Sequence, residues 1–215
     1  MRTLLLAGIW TGLALTAPAQ AQGLALAGDL KTERAVQDRL DELSERLRST
    51  PSATAVLRAW CEAHGLAADP QIRAVRQSGV DKPIRTEDRA LLGLGPGEAI
   101  RYRRVRLTCG DKVLSEADNW YRPGLLSEEM NRRLEGSDTP FGVVAAPLGF
   151  QRRTLAIRRL FEAPPSSGGA EMVVPPLVLE HRALLITAQG EPLSLVVESY
   201  TAQVLADLAQ PQPGR

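Results

Sequence analysis

The 215 residues carry 26 Lys and Arg against 25 Asp and Glu, with two cysteines, two histidines and a formal net charge of +1. A nearly neutral chain has no extended field suited to nucleic acid or anionic lipid, so its arginines must act locally. Two thiols far apart in sequence do not make a metal site, and there is no phosphate-cradling glycine loop.

Residues 1–21 hold one cation, Arg2, then an apolar run from Leu4 to Leu15, and close on Ala19-Gln20-Ala21. That layout reads as a secretory signal peptide, the run being too short for a membrane span. Without it the formal net charge is zero and enough chain remains for one domain with a sizeable core. The expected location is periplasmic or secreted, without stable membrane insertion; oligomeric state is left open. In an oxidising compartment Cys61 and Cys109 either form one disulfide or remain two small buried apolar side chains.

In residues 31–48, Val36, Leu40, Leu43 and Leu47 recur at helical spacing. Thr50-Pro51 offers a cap and a proline for a second helix that Gly65 stops. A short strand is expected over 72–76, and 77–98 reads as polar connection ending in Gly95-Pro96-Gly97. "AIRYRRVRLTC", a turn at Gly110-Asp111-Lys112 and "VLSEADNWY" make one hairpin. "VLEHRALLITA", a turn at Gln189-Gly190-Glu191 and "PLSLVVESYTAQVL" make another. Between them come a helix capped by Ser127, a Thr139-Pro140 helix start, a strand in "FQRRTLAIRRLFE" and a flexible connection, "APPSSGGAEMVVPP". The expected fold is α+β, a single antiparallel sheet with flanking helices. It divides into an N-terminal helical segment (22–65), a main domain (66–206) and a flexible tail (207–215).

Strand parity sorts the charges. Tyr102, Arg104 and Arg106 share one face; Arg103, Val105 and Leu107 share the other. Arg182, Leu184 and Ile186 lie together, as do Val196, Glu198 and Tyr200. Glu198 stands out in an otherwise apolar strand, where an unpaired carboxylate costs several kcal/mol, so it is either a structural ion-pair partner or a working group. Glu116 and Asp118 share a face with Trp120 and are expected to pair with arginines such as Arg106.

The stretch "YRRVRLTCGDKVLSEADNWYRP", then "DTPFG", then "HRALLITAQGEPLSLVVESYT" resembles the chorismate lyase (chorismate–pyruvate lyase) family over about residues 98–202. The resemblance implies an antiparallel sheet with helical flaps closing over a buried site, working without metal or cofactor. It puts a carboxylate-clamping arginine at Arg104, a second ligand arginine at Arg182 and the buried glutamate, as acid or base, at Glu198. Thr139, Pro140, Phe141 and Gly142 would line the pocket, with Phe141 where the family has leucine. The function implied is elimination of pyruvate from chorismate or a related enolpyruvyl acid to leave a hydroxybenzoate. The same broad fold also serves effector-sensing domains of transcription regulators, which bind small acids without catalysis. The alternative is therefore a non-catalytic periplasmic binding module for small aromatic carboxylates, and fold alone does not choose between them.

Overall fold

A computed structural model describes residues 22–165 and 169–209. The expected signal peptide (1–21), part of the 163–176 connection and residues 210–215 of the expected tail lie outside the described residues.

The chain opens with β1 (Leu24–Leu26) and α1 (Leu30–Ser49), capped by Asp29, whose side chain accepts the Thr32 amide at 2.7 Å. Val36, Leu40, Leu43 and Leu47 form the buried stripe of α1. The second helix, α2 (Ala53–Ala63), starts later than Thr50-Pro51 suggests, because Thr50 already ends α1. Ser52 caps α2 instead, its Oγ accepting the Ala55 amide at 3.3 Å. After β2 (Ile72–Arg76), the stretch read as irregular contains a short helix, α3 (Thr86–Leu91).

The first hairpin is β3 (Arg101–Cys109) and β4 (Lys112–Tyr121); Gly110 sits at its turn with φ +57°, which a β-carbon disfavours. α4 (Glu128–Gly136) follows, Ser127 Oγ accepting the Met130 amide at 3.2 Å, and then one turn, α5 (Phe141–Val144), with Pro140 at its cap. β5 (Gln151–Arg159) and the short β6 (Met172–Val174) precede the second hairpin, β7 (Leu177–Ile186) and β8 (Pro192–Thr201). The run expected to continue β8 as strand turns instead into a 3-10 helix, Ala202–Ala209. The expected tail therefore begins inside that helix.

The main sheet has six strands in the order β2-β3-β4-β8-β7-β5, each antiparallel to its neighbours, while β1 and β6 pair separately. The fold is α+β with an antiparallel sheet. Across β3, β4, β8 and β7 the register aligns Val105, Ala117, Glu198 and His181. It aligns Arg104, Asp118, Val197 and Arg182 one position along, which puts them on the opposite face.

The Glu198 face is covered by α1, α2 and the 3-10 helix, whose apolar residues share one core with Val105, Leu107, Leu179 and Tyr200. α1 and α2 thus share one core with the sheet across the boundary expected at 65/66. A second core on the same face joins Phe141, Val144 and Phe150 to Ala183, Leu185 and Val196. On the other face Leu92 packs on Trp120, Leu184 and Leu195, which is why so short a helix as α3 holds. No described helix is long and apolar enough to cross a membrane.

Candidate functional site

Where the two cores of the Glu198 face meet, they leave a small, partly open cleft. Its floor is the sheet, with Val105, Ala117, Leu185 and Val196; its roof is Phe141 and Gly142 of α5, Phe150, and the first turn of α2. Four polar residues of the sheet line this largely apolar space, Arg103, Asn119, Arg152 and Glu198, and Ser52 and Thr54 line it from the roof. A concave, largely apolar site with a few convergent polar groups is the usual form of a small-molecule pocket.

Arg152 and Glu198 belong together. Arg152 Nη2 lies 2.6 Å from Glu198 Oε2, with the two side chains only 2% and 8% exposed. The Tyr200 hydroxyl donates to the same oxygen at 3.1 Å. Burial alone would lower the Arg152 pKa, but Glu198 outweighs it and the net shift is upward. Tyr200, wholly enclosed beside this pair, is pushed well above the ordinary phenol value, first by burial and then by Glu198.

Arg103 is different. It is 3% exposed, and its Nε has no partner. Its Nη2 reaches only two carbonyl oxygens, Ser137 at 3.4 Å and Thr139 at 3.3 Å. No ion pair to Arg103 occurs among the described residues, and burial pushes its guanidinium pKa down. Asn119 is held by a hydrogen bond from the Ser194 hydroxyl.

The expected clamp, Arg104, is not in the cleft. It lies on the opposite face, where Nη1 meets Asp118 at 3.0 Å and Nη2 meets Glu116 at 2.8 Å. Lys82 and the Tyr102 hydroxyl complete the surroundings of Asp118, at 2.9 and 2.5 Å. Glu116 also takes Arg106, at 3.0 Å, as the sequence suggested. Burial alone would lower the Arg104 pKa, yet the two carboxylates carry it upward. Arg182 is likewise on the far face, paired with Asp88. Both corrections have one cause: the register sets Arg104 and Arg182 opposite Asp118 and Val197, one residue out of step with Glu198.

Glu198, Phe141 and Gly142 do line the cleft. Thr139 lines the neighbouring polar groove and meets the cleft only through the carbonyl that accepts from Arg103. Sequence reasoning missed Arg103, Arg152, Asn119 and the first turn of α2. Arg103 had a signal, since it shares its face with Val105 and Leu107, and a cation on an apolar face is an enclosed one.

Cys61 of α2 and Cys109 of β3 are joined in a disulfide, with Cα atoms 6.4 Å apart. The bond fastens α2 over the strand that carries Arg103. Among the described residues no cluster of His, Cys, Asp and Glu has the make-up of a metal site.

No protein-family model matches the sequence. Among solved structures, the chain is similar to YydK, a "possible transcriptional regulator" of Bacillus subtilis subsp. subtilis str. 168. Identity there is 16%, with a TM-score of 0.41, over 67% of this chain and 62% of that one. It is also similar to a GntR-family transcriptional regulator of Enterococcus faecalis V583, at 17% identity and a TM-score of 0.39, over 59% of this chain and 91% of that one. A curated relative is far nearer in sequence: 46% identity over 188 residues, spanning 80% of this chain and 79% of its own length. The chain belongs to the family of that relative, the "Uncharacterized protein y4mC" of Sinorhizobium fredii strain NBRC 101917 / NGR234.

Proposed function

We propose that the chain binds a small carboxylic acid with an apolar body in this cleft, and that Arg103 supplies the charge that meets the carboxylate. The observation that carries this reading is the enclosure of Arg103 without an acidic partner. A buried unpaired charge costs several kcal/mol, and two long contacts to carbonyl oxygens offset only part of that. Arg152 is neutralised by Glu198, so one positive charge is left over at the cleft, matched to a ligand of one negative charge. A guanidinium takes a carboxylate through two parallel bonds and so fixes its orientation as well as its charge. The apolar floor and the rings of Phe141 and Phe150 suit an aromatic body such as that of 4-hydroxybenzoate.

The lyase activity implied by the resemblance would need Glu198 as acid or base. Glu198 lines the cleft, but Arg152 and Tyr200 both donate to its Oε2, an arrangement that stabilises a fixed carboxylate. This favours binding without turnover. Calorimetric titration with 4-hydroxybenzoate and its methyl ester, alongside incubation with chorismate and an assay for pyruvate, separates the readings. Affinity for the acid and not the ester, with no pyruvate released, supports the binding module. Pyruvate release restores the lyase reading, and equal indifference to acid and ester removes both.

We place this binding outside the cytoplasm. The make-up of residues 1–21 supports that, and so does a disulfide between Cys61 and Cys109, which persists in an oxidising compartment. Protein recovered from a periplasmic fraction should start near Gln22. Soluble protein that keeps Met1 would count against export.

A further inference from the structure

His181 stands just behind the cleft. The row Val105, Ala117, Glu198 and His181 crosses β3, β4, β8 and β7, and its first three members line the cleft. His181, the fourth, is fully buried. Its Nε2 lies 3.1 Å from Ser44 Oγ of α1, and the Tyr200 ring stands edge-on at 5.8 Å. Its Nδ1 is buried and has no partner among the described residues.

The charges around it can be followed element by element. Arg152 of β5 and Glu198 of β8 pair at 2.6 Å and cancel, and the neutral Tyr200 donates to Glu198. α1 presents the uncharged Ser44. The charged residues flanking Ser44 on that helix are exposed and paired, Asp41 with Arg159, Glu42 with Arg46 and Glu45 with Arg48. On β7 itself, Glu180 and Arg182 belong to the other face, with Arg158 and Asp88 as partners. With a neutral imidazole, then, His181, Glu198 and Arg152 carry no net charge together. One more proton makes the group +1 in a place closed to water, which is costly. Burial and the Arg152 charge hold the imidazole down at about 4, with Glu198 opposing them. A negative charge arriving in the cleft lowers that cost.

We propose that His181 couples the cleft to pH: a carboxylate bound there draws a proton onto the imidazole, so anion and proton bind together. This rests on the binding reading above and adds its regulation. By reciprocity, acid then strengthens binding of the carboxylate. β7 is the third strand from β3, so a carboxylate at Arg103 lies on the order of 14 Å from His181. At an effective dielectric constant of about 20, that separation raises the imidazole by roughly one pH unit.

The test is calorimetric titration of 4-hydroxybenzoate at pH 5 in two buffers of different ionisation heat, which counts protons taken up with the ligand. A midpoint moving from about 4 to about 5 gives roughly 0.4 proton per ligand at that pH. The ligand cannot supply this signal, because binding as the carboxylate releases any proton it carried. His181→Gln should bind as the wild type does at pH 7 and take up no proton at pH 5. A second measurement leaves His181 in place. His64→Gln removes the other histidine of the chain, so the remaining imidazole NMR signal is that of His181. Its midpoint should rise by roughly one pH unit when 4-hydroxybenzoate saturates the protein. Uptake that is absent, or equal in His181→Gln, overturns the coupling and leaves the binding reading standing. If the wild type does not bind the acid at pH 7, both are wrong. Should His181→Gln unfold the protein, the NMR midpoint decides alone, and a midpoint unmoved by ligand overturns the coupling.

Discussion

Arg103 and Arg104 are consecutive on β3, yet one lies under a helical roof with no acidic partner and the other is held by Asp118 and Glu116 on the opposite face. Their substitutions should therefore separate binding from stability. Arg103→Ala should weaken 4-hydroxybenzoate binding by roughly 2–5 kcal/mol, the loss of a charge-assisted contact in a dry site. Arg103→Met, which replaces an uncompensated buried charge with an apolar chain, should hold or raise the melting temperature. Arg104→Ala should leave binding unchanged and cost roughly 1–2 kcal/mol of stability, since Lys82 and Arg106 remain on the two carboxylates. Titration and thermal melts of the three variants check this. A large drop in melting temperature for Arg103→Met, with binding intact, would make Arg103 a structural tie to the Ser137 and Thr139 carbonyls.

Glu198 and Arg152 form an almost dry ion pair, so breaking it from one side should be expensive. Glu198→Gln keeps the volume but strands a buried guanidinium, and should lower the unfolding free energy by about 3–5 kcal/mol. Replacing both partners with leucine and methionine should recover most of that, because no charge is then left without a partner. Urea unfolding of the single and double variants measures the difference. A double variant no more stable than Glu198→Gln would contradict the pairwise account.

Much of the fold was legible in residue spacing, and the exceptions have physical causes. The hairpins announced themselves through glycines that take positive φ, +57° at Gly110 and +86° at Gly190, between long apolar runs. Ser127 capped α4 as its position implied. α3 went unread because Arg85 at its cap offers the first helix amides no side-chain acceptor, and the helix is held by Leu92 packing on the sheet, a long-range contact. β1 and β6 are three residues each, too short to show a period. Within the site, parity correctly divided Arg104 from Arg103 but could not tell which side carries the cleft. That depends on the alignment of Val105, Ala117, Glu198 and His181 across four strands, which no local pattern encodes.

The Cys61–Cys109 disulfide closes a loop across 48 positions. The chain-entropy argument gives a stabilisation of about 4 kcal/mol for such a loop. The bond also fixes α2 over β3, so its removal should loosen the roof of the cleft as well as the fold. Titration of unreduced, denatured protein should find no free thiol. The Cys61→Ala/Cys109→Ala variant should melt lower and bind 4-hydroxybenzoate more weakly. Two reactive thiols in the unreduced protein would defeat the expectation. Unchanged affinity in a destabilised double variant would confine the bond to stability.

His181 yields a pH dependence whose sign can be worked out. It is fully buried, its Nε2 3.1 Å from Ser44 Oγ, with the Tyr200 ring edge-on at 5.8 Å. Burial is the largest influence on it. The Arg152 charge adds to burial, Glu198 opposes it, and the imidazole is held down at about 4. The unfolded chain takes up the same proton near the ordinary value of about 6.5. Between those two values the unfolded state binds more protons, so this group makes stability rise with pH across that window and level off above it. Stability should fall as pH drops from 6.5 towards 4, by at most about 1.4 kcal/mol per pH unit from one proton. Carboxylates with lowered values, such as Asp118, lose their contribution chiefly at the acid end, so pH 5 to 7 is the range to examine. Urea midpoints at pH 5, 6 and 7 should climb for the wild type and stay nearly level for His181→Gln, whatever the variant loses in absolute stability. An equal slope in both proteins would show that another group sets the acid sensitivity, and that His181 is protonated as readily in the folded chain as in the unfolded one.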